Sequence, residues 1–112
     1  DGTPNEKAER IIANLPWNLK INEGLAAFWS PSQPDAVTMP KQSTFHSMEE
    51  WYATLFHEVG HATGHSSKLD RDMAHHDTAY SFEELVAEFT AAMLCAHCGI
   101  DNTMGNTASY IA

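Results

Sequence analysis

Residues 54–65 read TLFHEVGHATGH, with His57 and His61 four positions apart and Glu58 beside the first. On a helix, positions i and i+4 lie one above the other on the same face, so two imidazoles at this spacing can reach one tetrahedral zinc ion. Glu58 lies about 100° round the helix from His57, beside the coordination position left open. From there it can take a proton from a metal-bound water, which is the mechanical sense of an H-E-x-x-H segment.

A catalytic zinc uses three protein ligands and keeps its fourth position for water. The third ligand is therefore the next question. The longer pattern H-E-x-x-H-x-x-G-x-x-H is broken here: Gly64 is present, but Ser67 stands where the last histidine belongs. His65 lies about 12 Å along a straight helix axis from His57, too far to share a metal unless Gly64 turns the chain. Its other role is at a helix C-terminus. Glu84 and Glu88 are better placed, being i and i+4 on a line that continues through Ala91 and Cys95. Two carboxylates on a face of small residues point to close approach to something that needs them, because buried charge is otherwise costly. Glu84 is expected as the third ligand and Glu88 as the hydrogen-bond partner of a ligand histidine. Glu83 is the rival ligand. Nothing in the spacing of His46, His75, His76 and His97 draws them to the site.

The elements that position these groups can be read from caps and periodicity. Ser47-Met48-Glu49-Glu50 is a capping box, and the helix it opens is expected to run to about Thr63, with Met48, Trp51, Leu55 and Val59 as its core stripe and Gly64 as its stop. A polar stretch, 66–80, reads as a loop. Ser81-Phe82-Glu83-Glu84 is another capping box. The helix after it is expected to reach about His97 before Gly99 and, being apolar on nearly every side (Phe82, Leu85, Val86, Phe89, Met93, Leu94), to be buried. Near the start, Thr3, Pro4 and Glu6 read as cap, first helical position and capping-box partner, followed by the apolar stripe Ile11, Ile12 and Leu15 up to Pro16. NLKI (18–21) and LAAFWS (25–30) flank Asn22-Glu23-Gly24, which reads as a hairpin turn. AVTM (36–39) reads as a further strand, at an edge because Pro40 follows it. The fold class expected is α+β, zincin-like: a small antiparallel sheet or hairpin packed on the H-E-x-x-H helix and a second buried helix.

The chain has 112 residues, enough for one domain, and 43% hydrophobic residues, enough for a modest core. It opens without Met and reads as a domain excised from a longer protein. No stretch approaches the roughly 20 apolar residues of a membrane span. A net charge of −9 has the wrong sign for phosphate contacts, so this segment alone is not expected to bind nucleic acid or an anionic membrane. Cys95 and Cys98 lack the second half of a four-cysteine site and read as buried free thiols, in keeping with a reducing, cytoplasmic setting.

WYATLFHEVGHATGHSSKLDRD followed by AYSFEELVAEFTAAMLCAHCGI closely resembles the zincin-like metallopeptidase domain of ArdC-type antirestriction proteins, which are carried by mobile elements. The resemblance spans roughly Ala8 to Ala112. It implies zinc on His57 and His61, Glu58 as general base, and the E-E-L-V-A-E helix as source of the third ligand, as in gluzincins. It also implies a separate N-terminal domain that binds single-stranded DNA and is absent from this chain. The expected activity is hydrolysis of a protein or peptide substrate by a zinc-bound water, with the strand near Val37 pairing to the substrate backbone and Tyr80, His65 or Tyr110 as transition-state donor. The competing expectation is a non-catalytic zinc-containing module that occupies a restriction enzyme or other partner. A closed four-ligand site would mark that case.

Overall fold

The computed structural model describes residues 3–71 and 82–100. In chain order these form α1 (Glu6–Ala13), β1 (Lys20–Glu23), β2 (Phe28–Trp29), β3 (Ala36–Met39), α2 (Met48–Ala62) and α3 (Phe82–His97). This is the expected α+β class. The third capping box falls on Ser81, outside the described residues.

α2 starts as its sequence dictates. Ser47 is extended, and its hydroxyl accepts from the Glu50 amide at 3.1 Å, satisfying one of the four donors a helix start leaves bare. Tyr52, Leu55, Phe56 and Val59 are buried and form the centre of the core, with Val37 and Met39 of β3 on one side and Ala91 and Cys95 of α3 on the other. α1 is capped by Asn5, not Thr3: the Asn5 Oδ1 accepts from the Ala8 amide at 2.9 Å, and its Nδ2 donates to the Cys98 carbonyl at 3.1 Å. Asparagine is the stronger cap of the two, and here it also ties α1 to the end of α3.

The sheet corrects the expected hairpin. Its order is β1-β3-β2, with β1 parallel and β2 antiparallel to β3, so it is mixed. The reason lies in where apolar side chains fall. β3 buries Val37 and Met39 and takes the centre, whereas all four residues of β1 are exposed, as suits an edge. Asn22 and Glu23 belong to β1 and make no turn. Gly24 serves close approach instead: a Cβ there would sit 2.5 Å from Thr38 Cγ2. Pro40 lies one residue past β3, so its missing N–H costs the ladder nothing, and the strand at Val37 is central and closed to a substrate backbone.

α3 is also corrected. It is not buried all round: Glu83, Ala87, Ala91, Ala92 and Cys95 are buried, while Phe82, Phe89 and Met93 are exposed. Its small residues let it lie close to α2. A Cβ on Gly60 of α2 would stand 2.9 Å from the Ala87 Cα and 3.2 Å from the Thr90 Cβ. Cys95 and Cys98 are free and buried, and burial pushes the Cys95 thiol up to about 11, so neither is a ready nucleophile.

Candidate metal centre

The close α2–α3 contact brings the two chemistry-bearing segments face to face. His57 and His61 stand one helical turn apart, with ring centroids 5.0 Å apart and planes at 77°. Opposite them, Glu84 reaches both. Its Oε1 lies 2.6 Å from His61 Nε2 and its Oε2 lies 3.7 Å from His57 Nε2. One ligand atom from each of His57, His61 and Glu84 lies within 4.8 Å of the others, which suits a group able to hold a metal ion. Two imidazole nitrogens and one carboxylate oxygen are the donor set of a catalytic zinc site with a fourth position open.

The far nitrogen of each ring is held too. His57 Nδ1 contacts Glu88 Oε1, and His61 Nδ1 lies 3.0 Å from Glu83 Oε2. A carboxylate on Nδ1 favours the proton there, which would give Nε2 to a cation when one is bound. Both Nε2 atoms turn toward Glu84, with Glu83 and Glu88 behind the two rings. Burial separates the three carboxylates: the Glu83 and Glu88 side chains are 6% and 15% exposed, and that of Glu84 is 40% exposed at the mouth of the site. Glu88 thus has the partner the spacing assigned it. Glu83 was legible only as a rival ligand; it faces the back of His61, and Arg71 holds it there.

Arg71 was missed altogether. Its Nε and Nη2 form a fork on Glu83 Oε1 and Oε2 at 3.0 and 2.9 Å. Burial alone would raise the Glu83 carboxyl, but the hydrogen bonds and charge of Arg71 and His61 hold it below the ordinary carboxylate range. The available signal was weak: a lone arginine in a polar loop.

Glu58 sits beside this group with its carboxyl raised. Burial is the main cause and Glu84 adds to it, while His57, His61 and the Trp29 backbone amide pull the other way. Glu58, His57, His61 and Glu84 share the lining of a cavity of about 650 Å³ with Phe28 and Trp29 of β2, His65 and Arg71. His65 is not in the metal-capable group. Its Nδ1 accepts from the Ser67 amide at 3.1 Å, and its ring meets Trp29 edge-on at 6.1 Å. Tyr80, Tyr110, His75 and His76 lie outside the described residues.

This helix pair, with H-E-x-x-H on one member and a carboxylate ligand candidate on the other, has the architecture of a zincin. The family described as zincin-like metallopeptidase matches residues 6–112, and the chain belongs to it. The crystal structure of the antirestriction protein ArdC from plasmid R388 in its Mn(II)-bound form is similar, with a TM-score of 0.75 and 36% identity over 99% of this chain and 41% of that one. The metal-free form gives a TM-score of 0.73 at 34% identity over 99% and 40% of the two chains. Among curated relatives, the DNA primase TraC of Escherichia coli is 40% identical over 108 residues, 95% of this chain and 10% of that protein. The uncharacterised protein y4eC of Sinorhizobium fredii is 37% identical over 110 residues, 96% of this chain and 35% of that protein. The chain thus spans a tenth to about two fifths of these relatives.

Proposed function

We propose that this chain is a zinc-dependent peptidase domain of a cytoplasmic antirestriction protein carried by a mobile element, with His57, His61 and Glu84 as metal ligands and Glu58 as general base. The observation that carries the reading is the convergence of both histidine Nε2 atoms on Glu84 while Glu83 and Glu88 occupy both Nδ1 atoms. The mobile-element setting rests on the likeness to the plasmid-borne ArdC protein. That protein is Mn(II)-bound in its crystal structure; zinc is favoured here by the two-histidine, one-glutamate donor set.

When bound, zinc supplies Lewis acidity, which acidifies water and polarises a scissile carbonyl. Glu58 then takes a proton from the attacking water and returns it to the leaving amine nitrogen. Its place beside the three candidate ligands in the same cavity puts its carboxylate within reach of a water held there. The Trp29 amide holds the Glu58 carboxylate in place. β2 is an edge strand at the cavity wall, so an extended peptide can pair with it, and Phe28 and Trp29 offer apolar surface to substrate side chains. The protein-binding alternative is less well supported, since among the described residues the metal-capable group has three members and Glu58 faces the same cavity.

Glu58→Gln keeps the shape and removes the base. Cleavage of an unfolded protein substrate by the zinc-loaded chain should fall about 10²–10⁴-fold, with zinc affinity kept. Unchanged cleavage would overturn this mechanism.

A further inference from the structure

His61 is reached from two directions by one side chain. Arg71 grips Glu83 with a fork, and Glu83 Oε2 holds the His61 Nδ1. The same guanidinium donates from Nη2 to the Gly60 carbonyl at 2.9 Å and from Nη1 to the Thr63 hydroxyl at 2.8 Å. Gly60 and Thr63 flank His61 at the C-terminal end of α2, where helix carbonyls lack intrahelical donors and the dipole favours a cation. Arg71 therefore fixes both the backbone that carries His61 and the carboxylate that orients its ring.

The loop is shaped to deliver this side chain. Asp70 adopts φ 53°, a left-handed conformation uncommon outside glycine but tolerated by aspartate. The Asp70 amide donates to the His65 carbonyl at 3.0 Å and the Arg71 amide to the Gly64 carbonyl at 2.9 Å, turning the chain back on the helix end.

We propose that Arg71 is a positioning residue of the metal centre, a clamp that presents His61 Nε2 to the cation by holding Gly60, Thr63 and Glu83 at once. The inference rests on the metal-ligand part of the proposed function and is independent of whether the chain cleaves peptides. It makes a prediction whose sign is opposite to simple electrostatics. A guanidinium beside a divalent cation repels it, so on charge alone Arg71→Met would bind metal more tightly and Arg71→Lys would bind as before. A clamp loses its function in both, because an ammonium cannot reproduce the planar fork.

The test is zinc affinity of the full chain by chelator competition, below the melting temperature of every variant. Visible absorption of the cobalt(II)-substituted forms is recorded alongside as a report of ligand geometry. Arg71→Met and Arg71→Lys should each weaken zinc about 10–100-fold and alter the cobalt spectrum. Glu83→Gln, which breaks the fork but leaves Arg71 on α2, should weaken zinc and guards against misfolding of the arginine variants. Tighter binding in Arg71→Met, or unchanged affinity and spectrum in folded Arg71→Met and Glu83→Gln, would overturn the clamp while leaving the metal centre standing. Absence of zinc binding by the unsubstituted chain would overturn both.

Discussion

Helix α3 buries Glu83, Ala87, Ala91, Ala92 and Cys95 and leaves Phe82, Phe89 and Met93 exposed, the reverse of what an ordinary amphipathic helix does. Proximity explains the inversion. Carboxylates are short arms, and Glu83, Glu84 and Glu88 reach the two histidines of α2 only if the helix backbones nearly touch, as they do where Gly60 meets Ala87. Large side chains on that face would hold the helices apart. The small face thus allows the contact with the two histidines, while Leu85, Val86 and Leu94 are half-buried and Phe82, Phe89 and Met93 stay exposed. In this pair of helices the inward face carries carboxylates and small residues, not the bulkiest apolar side chains.

The contrast can be broken most severely at Ala87. Ala87→Leu should destabilise the fold by about 3 kcal/mol in chemical denaturation, through overpacking against α2. A cost under about 1 kcal/mol would mean that the helices can separate without consequence. Gly60→Ala should cost less, about 1–2 kcal/mol, because the clash with the Ala87 backbone is partly offset by better helix propensity.

The opposite flank of α2 sharpens the comparison, since there a large side chain makes the polar contact. The Tyr52 hydroxyl donates to Glu9 Oε2 and accepts from the Asn5 amide at 3.2 Å. Burial and the Glu9 carboxylate push the phenol up from 10.0 to about 12. Raised in the folded state, it contributes stability that is fully present below pH 10.0 and lost as pH climbs to about 12. Tyr52→Phe should cost on the order of 1 kcal/mol near neutral pH, and the gap between the two proteins should close between those pH values. A constant gap would contradict this assignment. The smallest effect is expected on the outer face of α3. Met93→Ala, at a position 70% exposed, should change stability by no more than about 0.5 kcal/mol.

What was legible in the sequence follows the same division. His57, Glu58 and His61 are set by one helix's own period, as are the Ser47 cap and the Glu84–Glu88 pair, so local spacing was sufficient to place them. The strand order was not legible, because β1 pairs with β3 across a longer stretch of chain and the all-exposed KINE strand carries little pattern. Arg71 was hidden for a related reason: its partners Gly60, Thr63 and Glu83 come from two helices, and only the left-handed turn at Asp70 brings it back to them. The outward apolar residues of α3 were misread because hydrophobicity alone does not reveal that carboxylates and small residues take the inner face.

The central claim is that the inner faces of α2 and α3 together make a metal centre, and zinc bound per chain tests it most directly. Equilibrium titration of the unsubstituted chain should give one zinc, and Glu84→Ala should weaken binding by more than the ~10–100-fold expected of Glu83→Ala, because it removes a ligand and not a ligand's support. No zinc on the unsubstituted chain, or equal affinity after Glu84→Ala, would contradict the account.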